Sequence, residues 1–209
     1  MSDFPLLDRT IALWLKRGLI TPEQAASIAD VLRGQVFSLA GEWRAKVLEK
    51  VQALLGKAME EGWSVKEFKD AAAQTLARFT DGNYAEIVFR TNVSNARAAG
   101  RYEEMFSPEY AEVAPYWEFR AITDARNDEE DECPDKRCRW LNGKTFRKDD
   151  AAAQGFLPPL HFQCRCMSVE RTEDSIRSEV MNGSAIPFQP VSGWGGNRLT
   201  SLLGLFGGK

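Results

Sequence analysis

All four cysteines of this chain and its single histidine fall between Cys133 and Cys166. The order is Cys133 and Cys138, then a gap, then His161-Phe162-Gln163-Cys164-Arg165-Cys166. Two separated groups of thiol and imidazole suit a small subdomain closed by a metal or by cross-links, each group clamping one end of a segment with little core of its own. Zinc takes four tetrahedral ligands, usually as two short-spaced pairs. The first pair here is spaced C-x4-C, and the second group offers His161, Cys164 and Cys166, so five candidates compete for four places. If the second group is a strand, Cys164 and Cys166 point to one face, because strand side chains repeat every two residues. A four-cysteine zinc site is the first expectation. A site in which His161 replaces one thiol is the second; otherwise His161 lies outside the ligand set or is a plain structural histidine. The competing readings are disulfide pairs and reduced buried cysteines that hold nothing.

Composition sets the bounds for the rest. At 209 residues, with 44% hydrophobic and 27% charged residues, the chain is an ordinary soluble globular sequence of one or two domains. It is long enough to bury a real core. A net charge of −3 provides no global basic field to draw it to nucleic acid. The start, Met1-Ser2-Asp3-Phe4-Pro5, lacks the basic and apolar regions of a signal peptide, and no apolar run approaches a membrane span. A reducing cytoplasm is the expected place of synthesis, where clustered cysteines more often hold metal than form disulfides.

The first half reads as helices. Thr21-Pro22-Glu23-Gln24 is a capping box with proline at the first helical position, opening a helix to about Arg33. A second helix is predicted over Val36 to Glu61, with Phe37, Ala40, Trp43, Val47, Val51, Leu54 and Ala58 as its apolar stripe and Gly62 as its stop. Ser64 and Glu67 form another capping box for a helix through about Phe79. A long helix follows from about Tyr84 to Met105. Pro108 and Pro115 mark a change of character, and Tyr116 to Ile122 alternates like a strand. The stretch Thr123 to Cys166 is loop-rich, with short strands expected near Lys144–Phe146 and Cys164–Met167, the second extended by Val169. Beyond Met181, glycine, serine and proline dominate and predict an extended arm. It closes on Leu199, Leu202, Leu203, Leu205 and Phe206, a group fit either to dock on a partner or to pack as a terminal helix.

Other polar groupings carry weaker signals. Asp128-Glu129-Glu130-Asp131-Glu132 would suit a divalent-metal nuclease, yet an unbroken acidic run usually faces water. Asp124, Asp149 and Asp150 are carboxylates a hydrolase needs, but Asp150 reads more naturally as the cap of a helix opening at Ala151. Phosphate-loop, dinucleotide, nucleophile-elbow and zinc-protease motifs are all missing, and nothing assembles an acid, a base and a nucleophile. The helix face bearing Arg90, Asn92, Asn95, Arg97 and Arg101 suits an acidic partner or a phosphate backbone, against the plainer reading of a solvated face.

Several segments, taken in order, carry a resemblance. They are Val88-Phe89-Arg90-Thr91-Asn92, Ala96-Arg97, Gly100-Arg101-Tyr102, Tyr116-Trp117-Glu118-Phe119, Thr123-Asp124-Ala125-Arg126, Cys138 through Phe146 with its Asn142-Gly143-Lys144, Asp149-Asp150, and Pro158-Pro159-Leu160-His161-Phe162-Gln163-Cys164-Arg165-Cys166. Together they resemble the phage Mu F-like head morphogenesis proteins, also called minor head proteins, over Trp63 to Val169. The resemblance implies a component of tailed-phage heads, made alongside the portal protein, entering the procapsid in few copies, and linked to head assembly, DNA packaging or ejection. Many relatives space the first cysteine pair as C-x2-C or place a histidine where Cys138 stands. The acidic insertion ahead of Cys133 weakens the case for Cys133 more than for Cys138. The chain is short for the family and shows no separate toxin or enzyme domain.

The combined expectation is an α+β protein: a helical region over 1–108, a strand-and-loop subdomain tied by the Cys/His cluster over 109–181, and an extended Gly/Pro-rich arm over 182–209. Its expected function is that of a minor capsid protein near the portal vertex and not an enzyme, with Cys133, Cys138, His161, Cys164 and Cys166 as candidate ligands of a structural zinc. Expected partners are the portal protein, the major capsid or scaffold protein, and further copies of itself, with no membrane. The expected location is the virion, after assembly in the host cytoplasm. The rival reading is a nuclease or DNA-processing enzyme built on His161 with Asp149 and Asp150. A DNA-binding zinc module is a third reading, disfavoured by the net acidic charge.

Overall fold

The computed structural model describes residues 8, 11, 12, 14–19, 36–37, 44–75, 83–122, 136–161 and 164–189. The capping box at 21–24 with its helix, residues 76–79, Asp124, the acidic run, Cys133, and the tail from 190 onward lie outside them; the helix opened at Ser64 already ends at Ala73, short of the expected Phe79, with Gln74 as its C-cap.

The first full helix, α1, is Ala45–Glu60, with Leu48, Val51, Leu55, Ala58 and Met59 buried along one side. It begins later than its apolar stripe predicts. Val36–Phe37 is instead a short strand, β2, paired in parallel with β1, Gly18–Leu19. A β-branched and an aromatic residue suit that role once a distant partner exists, and the partner is not visible in local periodicity. Gly62 closes α1 with φ +69°, the left-handed geometry glycine adopts freely. The Trp63 amide then reaches back to the Ala58 carbonyl at 2.9 Å. Ser64 and Glu67 form the reciprocal cap of α2, Val65–Ala73. The third helix, α3, runs from Tyr84 to Met105 as its periodicity predicts. A short α4, Pro108–Val113, follows with proline in its first turn.

The second half is built on a four-stranded sheet in the order β5-β3-β4-β6. The strands are β3 Tyr116–Arg120, β4 Thr145–Arg147, β5 Met167–Arg171 and β6 Val180–Met181. β3 is central and antiparallel to both β4 and β5, while β6 runs parallel to β4. Trp117 lies opposite Phe146 on one side and Glu170 on the other. The alternating sequence of β3 predicts one wet face, yet Tyr116 to Phe119 are all buried. Glu118 is tolerated there because Arg120 and Arg171 pair with it at 2.5 and 2.7 Å. Two further short helices, α5 Lys136–Leu141 and α6 Ala151–Gln154, flank β4. Asp150 caps α6 by accepting from the Ala152 and Ala153 amides, as its sequence position predicts.

Two hydrophobic clusters share α3. Ala85, Val88, Phe89, Val93 and Ala96 join Trp14, Val51, Leu55 and Phe68 in the first. Ala99, Tyr102 and Met105 join Trp117, Phe119, Phe146, Leu157 and Leu160 in the second. The stretch 182–189 packs on the second cluster: Ile186 is buried, and Phe188 meets Trp140 and Phe156 edge-on. Gly183 makes this possible. Its amide donates to Asp150 at 2.6 Å, and a Cβ placed there would sit 2.1 Å from the Ala153 nitrogen. Among the described residues no helix is long and apolar enough to cross a membrane.

Candidate metal centre

Three segments far apart in sequence deliver the site. α5 presents Cys138, which is buried at 3% exposure. The Pro158-Pro159 turn, with a cis bond between the prolines, leads through buried Leu160 to His161. The chain then turns back: the Cys164 amide donates to the His161 carbonyl at 3.2 Å. Ser94 of α3 holds this turn from the helical side, its hydroxyl donating to the Cys164 carbonyl at 3.1 Å. Cys166 completes the approach to β5, beside the Ile122 backbone.

One ligand atom from each of Cys138, His161 and Cys164 lies within 4.8 Å of the other two. Cys166 is near enough to influence the ionisation of both Cys138 and Cys164, but it is not part of that group of three. Two thiols and one imidazole therefore converge, with the Cys166 thiol approaching them. Cys164 and Cys166 do so from an irregular stretch ahead of β5, not from within a strand as the alternate spacing predicts. All three described cysteines are free thiols. His161 stands with Cys138 and Cys164 in this group. Cys133 lies outside the described residues.

The electrostatics follow from crowding. Hydrogen bonds from Cys138 and then Cys166 hold the Cys164 thiol well below the ordinary thiol range, against burial, with His161 adding to the effect. Cys138 is pushed up by its bonds to Cys164 and Cys166 and by burial. Cys166 is drawn down by Cys138, but Cys164 and burial outweigh this and raise it to about 12. One thiolate, Cys164, is favoured here, and its charge suppresses ionisation of the other two. A central divalent cation reverses that, since each thiolate then faces positive charge. Tetrahedral ligands about 2.3 Å from zinc stand about 3.8 Å apart. A set already within 4.8 Å needs only a small contraction to reach that geometry. The close donors thus fit zinc, with Cys138, His161 and Cys164 as the residues that would hold it.

The carboxylates of the rival enzymatic reading are engaged elsewhere. Asp149 receives two bonds of 2.8 Å from the Arg147 guanidinium. Asp150 accepts from Ala152, Ala153 and Gly183.

Fold and site together describe a mixed α+β protein whose sheet half is tied by a thiol–imidazole knot. The chain belongs to the Phage Mu protein F like family, whose pattern matches residues 49–169. It is similar to the "Putative capsid assembly protein F" of Escherichia phage Mu, with 27% identity over 159 residues. That match takes in 66% of this chain and 34% of the relative, so the chain spans about a third of the protein it resembles. No solved structure matches it.

Proposed function

We propose that this chain is a minor head protein that works at or near the portal vertex, with the portal protein as its main partner and its final location in the virion. On this reading it is a structural part of the head and turns over no substrate. The knot is a structural zinc centre of three thiolates and one imidazole, closed to water as structural sites are. The observation that carries this reading is the convergence of Cys138, His161 and Cys164, with Cys166 beside them. A bound zinc contributes folding free energy outright to the residues it joins. Those residues come from α5, the His161 turn and the lead into β5, so the metal stabilises the sheet half. The helical half keeps its own core around Trp14, Leu55 and Phe68.

Elemental analysis of reducing preparations tests the metal. About one zinc per chain is expected, with chelation melting the sheet half and sparing α1 and α2. Cys138→Ser, His161→Ala and Cys164→Ser each lose the metal, while Cys133→Ser retains it. Zinc near zero with unchanged melting after chelator ends the metal reading. Metal lost in Cys133→Ser and kept in His161→Ala replaces it with a four-thiol site. Co-expression with the portal protein of the same phage tests the location, and separate elution of the two chains counts against it.

A further inference from the structure

A groove of about 430 Å³ runs between α3 and the chain leading from Pro158 to Ser168. Four arginines line it, Arg90, Arg97, Arg101 and Arg165, and no carboxylate does. Arg90, Arg97 and Arg101 fall at i, i+7 and i+11, one stripe along the helix. Arg90 is paired with Glu86, and Arg101 with Glu170, both carboxylates beyond the lining. The exposed Arg97 has no carboxylate partner among the described residues. Between the arginines the floor is apolar, and Met167 stands 43% exposed at its edge.

A second surface has the opposite character. Where α3 turns into α4, a shallow hollow is lined by Glu103, Glu104, Ser107, Glu109, Tyr110 and Val113. Tyr110 is 44% and Val113 71% exposed, with Glu104 and Glu109 exposed beside them. Lys148 is the cation nearby. It is buried beneath the Tyr110 ring and donates to the Met105 carbonyl, so it faces inward. Of the exposed large apolar side chains among the described residues, only Leu15 lies away from these two surfaces.

We propose that the chain associates with a second copy of itself head to tail, the acidic α3–α4 corner of one seating in the arginine groove of the next. Charge and apolar content match on both sides. Tyr110 and Val113 cover the floor beside Met167, while Glu104 and Glu109 meet Arg97 and its neighbours. A nucleic-acid strand fits less well. The aromatic rings that line the groove, Phe89 and Tyr102, are buried and offer no stacking surface. The two surfaces differ, so the contact is heterologous and each added copy leaves a free groove and a free corner. The proposal does not depend on the zinc reading, although the knot's Cys164 and Cys166 border the groove.

Sedimentation of the full zinc-replete chain at low salt tests it. The expected result is an average mass that rises with concentration and falls back to the monomer near 0.5 M salt, roughly, where charges are screened within a few ångströms. Arg97→Glu and Glu109→Arg each remain monomeric with unchanged melting, since both positions are exposed. Mixing the two variants restores association, because the intact corner of one meets the intact groove of the other. A wild-type chain that stays monomeric at all concentrations overturns the proposal, as does association unchanged in either variant. Binding of a DNA duplex abolished by Arg97→Glu, without self-association, gives the groove to nucleic acid instead. Zinc content and chelator melting report on the metal centre separately, so failure of one reading does not imply failure of the other.

Discussion

The hydroxyl of Tyr102, near the end of α3, donates to the carbonyl of Pro158 in the turn that delivers His161. Both residues are buried, and the bond ties the long helix to the segment that places an imidazole among thiols. Tyr102→Phe leaves that carbonyl without its partner, which costs about 1–3 kcal/mol for a buried polar group. The expected outcome is a lower urea midpoint with an unchanged slope, together with weaker zinc retention. An unchanged midpoint refutes the role given to this bond.

Glu118 sits at the centre of the sheet, 2% exposed, between Arg120 and Arg171. Removing one member of a buried ion pair strands the other, a loss of about 3–5 kcal/mol. Arg171 is the group stranded, with its side chain only 13% exposed. Glu118→Ala is expected to lower the melting temperature more than any single change on the exposed helix faces. Adding Arg171→Met to that variant recovers part of the loss. Additive losses in the double variant speak against the pairing.

Glu67 gives a pH dependence with a defined sign. The Ser64 amide and then the Ser64 hydroxyl bond to its carboxylate and hold it below the ordinary value of 4.5. A lowered carboxyl contributes its stability fully above the unfolded value and loses it as pH falls through the folded one. Amide exchange in the first turn of α2 is therefore expected to quicken between about pH 5 and pH 3. Glu67→Gln removes that step and leaves faster exchange at neutral pH. Identical profiles for the two proteins refute the assignment.

Several local signals in the sequence match the elements found, although the helix opened at Ser64 ends at Ala73 and not near Phe79. The Tyr84–Met105 helix, the Ser64–Glu67 cap, the Gly62 stop and the Asp150 cap all follow from spacing and residue type. A Cys/His cluster was legible too, because Cys138, His161 and Cys164 had few other reasons to lie so near one another in the chain. What depends on distant partners was not. Val36 and Phe37 leave the helical stripe to pair with Gly18 and Leu19. β3 hides its apparently wet face because strands and loops from later in the chain cover it. The Gly/Pro-rich composition after Met181 predicts an extended arm, and nothing periodic announces that Ile186 and Phe188 will seat on Phe156 and Trp140. The arginine stripe on α3 was visible, but its facing acidic corner appears only once α3 and α4 meet.

One helix belongs to both cores. Its 22 residues form a rod of about 33 Å. A rod embedded at both ends resists bending and keeps whatever grips either half at a set separation. A protein with such a strut can act as a spacer, transmitting a push on its sheet end to its helical end without absorbing it.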